Sequence, residues 1–337
     1  MKPVDVNSSR RRAALVIASI TAGALGLTAL DVTGQSYPNR PLRIIVPFTP
    51  GGSSDVLARA IGQELSKALG QPVIIENVPG AGGALGGERA AKSSPDGYTL
   101  FMAHLGTLAV NPWLYPKLGY DPLKSFTPVA WVARVPNVLV VNPSVPAVSL
   151  AELVALAKSK PGQIAYGSGG NGSAAHITME FLKVQTGMSI LHVPYKGTAP
   201  SVTDLLAAQV QLLFTGAPAL LQHIKAGKMR ALAVSSPKRL AVLPDVPTIA
   251  ESGVSGTSGF EADQWYGLVA PAGTPPEIAT LLNRQVNKAL ESQEVRTRFA
   301  AEGAEPTPST PQAFGQLIAS ELGRWEKVVK TARITAE

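Results

Sequence analysis

Short apolar runs alternate with amphipathic stretches over most of the chain, the pattern of a sheet wound with helices. Ile44–Val46 predicts a short buried strand. It leads through Pro47-Phe48-Thr49-Pro50-Gly51-Gly52-Ser53-Ser54-Asp55 into a segment with apolar residues at Val56, Leu57, Ala60, Ile61, Leu65 and Leu69. That spacing predicts a helix over 56–69. A strand at Val73–Glu76, a glycine turn at 80–83, a short helix through Glu88 to Lys92 and a strand at Tyr98–Ala103 continue the alternation. Pro112, Pro116, Pro122 and Pro128 then break the chain into turns, with Trp113, Tyr115, Tyr120 and Phe126 as packing residues.

From Val129 the pattern restarts. Val138–Val141 predicts a strand, and Ser149 caps a helix over Leu150–Lys158 with Glu152 at its third position. Ile164–Tyr166 predicts a strand entering Gly167-Ser168-Gly169-Gly170-Asn171-Gly172-Ser173, with a helix from Ala174 to Thr186 behind it. Strands at Ile190–Val193, Val210–Phe214, Arg230–Val234 and Trp265–Val269 follow. Helices at Glu277–Ser292 and Gln312–Lys330 close the chain, separated by Pro306, Pro308 and Pro311.

This order predicts an α/β protein of two units, with parallel-rich sheets covered by helices on both faces. Domain I is expected over 36–138 plus 264–337 and domain II over 139–263. Two hinge strands are expected near Val138–Val141 and Asp263–Tyr266. Ligands in open α/β sheets sit at the C-terminal ends of strands. Two such edges facing each other would enclose a cleft that shuts by hinge motion.

The N-terminus adds a compartment. Lys2 and Arg10-Arg11-Arg12 precede an apolar run from Ala13 to Leu30, and polar residues Asp31–Ser36 follow. Residues 1–35 are therefore expected to be an export signal, with maturation near Ser36 and a periplasmic destination. Ser9-Arg10-Arg11 resembles a twin-arginine signal, although Arg12, Ala13 and Ala14 depart from the usual pattern after it. An uncleaved anchor is the alternative, weakened by Gly23 and Gly26 within the run. The chain has no cysteine, so disulfide and thiolate chemistry are absent. Its formal charge of +7 falls to about +5 without residues 1–35. The remaining Lys and Arg are scattered, so no nucleic-acid partner is expected.

Candidate chemistry centres on two glycine turns, each opening a helix after a strand. Gly51 and Gly52 let backbone approach a ligand closely, and the first turn of the following helix carries unpaired N–H groups and the positive dipole end. Phe48, Thr49, Ser53 and Ser54 belong to this loop, which has anion-binding geometry. A tight turn capped by Ser53 or Asp55 is the plainer alternative. Ser168, Gly169, Asn171, Ser173 and His176 form the second loop. Gly167-x-Gly169-x-x-Gly172 matches a dinucleotide fingerprint, but the next strand, Ile190-Leu191-His192-Val193-Pro194, lacks the acidic residue that would hold a ribose.

His104, His176, His192 and His223 show no metal-ligand spacing, and no metal or cofactor is expected. No G-x-S-x-G elbow or paired carboxylates occur, so catalysis has little support. Tyr195 and Lys196 follow a strand where a phenol or a cation could reach a carboxylate. His104, Thr107, Thr215 and Asp263 complete the candidate cleft.

The ordered motifs resemble a known family. They are Pro47-Phe48-x-Pro50-Gly51-Gly52-x-x-Asp55-x-x-Ala58-Arg59, Glu76-Asn77-x-Pro79-Gly80-Ala81-Gly82-Gly83, Pro95-Asp96-Gly97-Tyr98-Thr99-Leu100 and Asn111-Pro112-x-Leu114-Tyr115. After them come Tyr166-Gly167-Ser168-x-Gly170-x-Gly172-Ser173-x-x-His176, His192-Val193-Pro194-Tyr195-Lys196-Gly197, Leu243-Pro244-Asp245-Val246-Pro247-Thr248 and Trp265-x-Gly267-Leu268-x-Ala270-Pro271. Together they resemble the Bug-type periplasmic solute receptors of tripartite tricarboxylate transporters.

The resemblance implies a two-domain periplasmic binding protein of the Venus flytrap kind, type II-like, and not an enzyme. It implies a small organic acid as ligand, permease subunits in the membrane as partners, and a monomeric receptor. It also implies that the ligand carboxylate is held by Thr49–Ser54 and Ser168–His176, largely through main chain and water. Many relatives carry an acid in the segment matching Val210–Thr215, where this chain has Gln211 and Thr215 as candidates. That departure implies a simple carboxylate, dicarboxylic or aromatic, over an amino acid. A ligand sensor feeding a membrane signalling protein is an alternative the sequence does not separate from transport.

Overall fold

The computed structural model describes residues 37–332, 334 and 335. The expected export signal lies outside them. The body that begins at Arg40 is one compact unit, and it contains two sheets.

The first sheet has the order β11-β4-β10-β3-β1-β2. Its strands are β1 (Leu42–Val46), β2 (Val73–Asn77), β3 (Thr99–His104), β4 (Phe126–Val135), β10 (Gln264–Pro271) and β11 (Glu305–Pro306). The second has the order β7-β6-β8-β5-β9, built from β5 (Asn137–Val141), β6 (Ala165–Ser168), β7 (Leu191–Pro194), β8 (Leu212–Gly216) and β9 (Arg230–Val234). Both sheets are mixed. The strands that feed the glycine loops pair in parallel, β1 with β2 and β3, and β6 with β7 and β8. Pairings made by β5 and β10, the strands next to the crossings, are antiparallel. The expectation of parallel-rich sheets therefore holds only for the loop-bearing strands.

Helices cover both faces of each sheet. Leu57, Ile61 and Leu65 of α1 (Ser53–Leu69) share one buried cluster with Leu282, Val286 and Leu290 of α8 (Pro276–Glu291) and with Val295 and Phe299 of α9 (Gln293–Ala301). On the opposite face, α2 (Ala84–Ala91) and α10 (Pro311–Ala332) bury Ala84, Phe314, Ile318 and Trp325. A short α3 (Asn111–Leu114) joins them. The second sheet is covered by α4 (Leu150–Ser159) and α5 (Ala174–Thr186) on one side. On the other lie α6 (Thr198–Leu206) and α7 (Leu221–Lys225).

The chain passes between sheets twice, at Pro136 between β4 and β5 and just before Gln264. Val138–Val141, expected near a hinge, is a fully buried interior strand of the second sheet. Three elements depart from expectation. β4 runs straight through Pro128, which pairs with Val269 on one side only, because β11 covers no more than Ala133 and Arg134 on the other. A proline is tolerated where the ladder is open. α6 begins two residues before Pro200, which sits in the first turn where no N–H is needed. α9 begins directly after Ser292, whose hydroxyl caps it by accepting from the Val295 N–H.

Candidate functional site

The first glycine loop is shaped by Asp55. Its carboxylate accepts the Gly51 N–H at 3.0 Å, two guanidinium donors of Arg59 at 2.9 Å and the Asn77 amide at 3.0 Å. The same Asn77 amide donates to the Phe48 carbonyl at 2.9 Å. Burial pushes the Asp55 carboxyl up, but the Arg59, Gly51 and Asn77 hydrogen bonds outweigh it and hold it below its ordinary range. Gly51 supplies the φ of +90° that the turn needs. The Gly51 N–H is thus consumed inside the loop. Gly52 caps α1 without any side-chain hydrogen bond; its carbonyl accepts the Asp55 and Val56 N–H groups at 3.0 Å, which leaves the Ser53 and Ser54 N–H groups without an intrahelical partner.

Two helices of the second sheet start beside the same cavity as α1. α5 is capped by Ser173, whose hydroxyl accepts from the His176 N–H. α6 is capped by Gly197, again with no side-chain bond. Residues at all three starts line one cavity: Gly52, Ser53 and Ser54; Ser173, Ala174 and Ala175; and Thr198. Its remaining wall is Phe48, His104, Gly169, Thr215, Gln264 and Tyr266. The interior has a volume of about 20 Å³, room for about one water molecule.

This wall contains no Lys, Arg, Asp or Glu. Positive potential comes instead from helix N-termini, each worth about 1–2 kcal/mol to an anion when partly buried. His104 adds a neutral donor. Its Nδ1 accepts the Thr107 N–H at 3.0 Å, which assigns the proton of the neutral ring to Nε2. Burial pushes its pKa down to about 4, and the ring packs against Phe48 and Tyr266 with centroids 4.9 and 5.8 Å away. Burial also pushes the Tyr266 phenol up, keeping it a neutral hydroxyl.

Loops from the two sheets touch around the cavity. Tyr115 Oη donates to the Asn171 carbonyl at 2.6 Å. A Cβ at Gly82 would lie 2.0 Å from that carbonyl, one at Gly216 would lie 2.4 Å from Ser53 Oγ, and one at Gly197 would lie 2.1 Å from Thr49 Oγ1. Glycine at these places permits the approach of the two sheets.

Of the residues expected from the sequence, Phe48, Gly52, Ser53, Ser54, His104, Gly169, Ser173 and Thr215 line the cavity. Thr49, Gly51 and Asn171 belong to the touching loops. Thr107 acts behind His104, accepting its N–H and donating to its carbonyl. Ser168 lies behind the second loop, 2.6 Å from His192 Nε2, and His176 accepts the Gly172 N–H while stacking on His192 at 4.2 Å. Burial pushes the pKa of His176 down to about 4. Tyr195 donates to Asp204, and Lys196 is exposed outside the cavity. Asp263 points the other way, to Ser235 and Arg134, and lines a separate pocket of about 200 Å³ on the reverse side of the crossings.

The sequence reasoning missed Ala174, Ala175, Thr198, Gln264 and Tyr266. Strand alternation places Gln264 and Tyr266, not Asp263, on the cavity side. A Gly-Thr-x-Pro helix start marks Thr198. Gln211, the other candidate for the missing acid, accepts the Ala165 N–H at 2.8 Å and does not line the cavity.

The model of the family described as "Tripartite tricarboxylate transporter family receptor" matches residues 57–334. The chain belongs to that family. Protein BugT of Bordetella pertussis is 43% identical to this family member over 326 residues, covering 96% of the chain and 98% of BugT. Among solved structures, R. palustris Rpa4515 with adipate has a TM-score of 0.86 at 41% identity, covering 89% of this receptor and 99% of its own chain. MatC (Rpa3494) from Rhodopseudomonas palustris with bound malate has a TM-score of 0.83 at 37% identity, covering 87% of this chain and 100% of its own. The fold is accordingly that of a periplasmic binding protein, and the protein is a solute-binding receptor of this family. No helix among the described residues is long and apolar enough to cross a membrane.

Proposed function

We propose that this receptor captures a small carboxylate between its two sheets in the periplasm and delivers it to a tripartite tricarboxylate-type permease. The observation that carries the reading is the convergence of three helix N-termini on a cavity without charged side chains. Peptide N–H groups and the hydroxyls of Ser53, Ser54, Ser173, Thr198 and Thr215 solvate the carboxylate, with the His104 Nε2–H as a further donor. No buried lysine has to be desolvated for this. The sheets form two lobes hinged at residues 135–137 and 262–264. The small interior means that a ligand enters only when the touching loops part.

The two related structures that hold adipate and malate make dicarboxylates the first candidates. Thr215, standing where an acid could meet a ligand amine, favours a ligand without one. The receptor performs no chemistry on its ligand, and it works as an exported monomer. Calorimetric titration of the mature chain with adipate, malate and a series of aromatic and aliphatic acids tests this. Saturable binding of a carboxylate supports the reading. Failure of every acid, beside binding of an uncharged or cationic solute, overturns it.

A further inference from the structure

A buried hydrogen-bonded chain runs beneath the cavity from Tyr266, in the wall beside the start of α1, to Thr178 on α5. The Tyr266 phenol shares the cavity wall with Ser53 and Ser54, in the first turn of α1. Tyr266 Oη donates to Gln264 Oε1, and Gln264 Nε2 donates to Asn137 Oδ1. Asn137 Nδ2 then donates to Thr178 Oγ1 at 3.1 Å and to the Ala262 carbonyl at 2.7 Å. Thr178 lies on α5, one turn behind the helix start that faces the cavity. Asn137 and Thr178 are fully buried, and Gln264 and Tyr266 nearly so.

Asn137 stands at the first crossing between the sheets, and Ala262 and Gln264 at the second. The chain therefore passes through both hinge segments. Gln264 also lines the reverse pocket, so this one residue borders both the cavity and the pocket behind it. Asn137 spends both donors and its acceptor within the chain, and Gln264 its acceptor and one donor. Such a network fixes one arrangement, because any other leaves buried polar groups unpaired.

We propose that Gln264 and Asn137 are positioning residues, which with Tyr266 and Thr178 form a floor that sets the spacing of the α1 and α5 N-termini around the ligand. This rests on the carboxylate-binding reading above. The floor links the grip on the anion to lobe closure, so breaking it at Thr178, away from the cavity, weakens binding.

Thr178→Val keeps volume and removes the last acceptor of the chain; Tyr266→Phe removes the first donor. One hydrogen bond of this kind corresponds to about a three- to tenfold change in an equilibrium constant. Adipate and malate affinities, measured by calorimetry, should fall about three- to tenfold in Thr178→Val. In the double variant the losses should multiply to at least twofold less than independent effects would. Unchanged affinity in Thr178→Val with only a lowered melting temperature, or losses that multiply independently, overturns the floor. A parent protein that binds neither acid nor any other carboxylate refutes the proposed function instead. The floor is then decided without ligand, by spin labels on cysteines placed at exposed Leu85 and Leu191 of this cysteine-free chain. A broader inter-label distance distribution in Thr178→Val than in the parent supports it, and identical distributions overturn it.

Discussion

Replacing Gly197 by alanine tests whether binding requires the two sheets to close on each other. Gly197 has φ 161° and ψ 174°, an extended conformation open to any residue, so the backbone carries no strain from the change. The new methyl would instead lie 2.1 Å from Thr49 Oγ1 and 3.0 Å from the Thr49 nitrogen, on the loop of the opposite sheet. Overpacking of this kind costs about 1–3 kcal/mol. If the cost falls only on the closed arrangement, affinity for adipate drops roughly 5- to 150-fold, at about 1.4 kcal/mol per factor of ten. The ligand-free protein should melt within about 2 °C of the parent, because the methyl meets nothing once the lobes part. Thr49→Ala should restore most of the loss, since it removes the nearest atom, and that hydroxyl has no hydrogen-bond partner to forfeit. Calorimetry and thermal melting on the parent, the single variants and the pair provide the measurements. Affinity within twofold of the parent in Gly197→Ala, or no recovery in the pair, would refute the reasoning.

Two further outcomes are expected. Thr215→Asp places a carboxylate in the cavity wall and should weaken carboxylate binding more than tenfold, whereas Gln211→Glu, which still accepts the Ala165 N–H, should leave it within twofold; titration of both variants checks this. Burial holds the His104 and His176 imidazoles neutral down to about pH 4, while their unfolded counterparts protonate near 6.5. The unfolded chain binds more protons within that window, so stability falls as pH drops from 6.5 to 4, by roughly 3 kcal/mol per histidine. Urea unfolding at pH 7.5 and 4.5 measures it, and equal stabilities would contradict the assignment.

Much of the fold was legible because apolar runs and glycine punctuation are local signals. β1, the glycine turn and α1 follow from spacing alone, as does the start of α5 behind Ser173. β4 was not legible, since Pro128 reads as a breaker unless one knows that its outer neighbour stops short. The site was half legible. Sequence marks the loops, but not which of their groups face inward and which are used up within the loop. Gly51, Ser168 and His176 each carry chemistry suited to an anion, and each spends it on a neighbour: the Asp55 carboxylate, the His192 imidazole and the Gly172 N–H respectively. Asp263 against Gln264 and Tyr266 shows the same limit on a strand. One step of alternation decides the facing, and the strand's phase depends on which sheet it joins.

The cavity wall without ionic side chains has a consequence for how such a receptor can diverge. Peptide groups at helix starts survive nearly every point substitution, whereas a lysine or arginine would be lost by one. On the proposed reading, attraction to the carboxylate and discrimination among its carriers are therefore carried by different atoms. Phe48, Thr198 and Thr215 can change to suit a longer, shorter or more aromatic acid while the hold on its charged end persists.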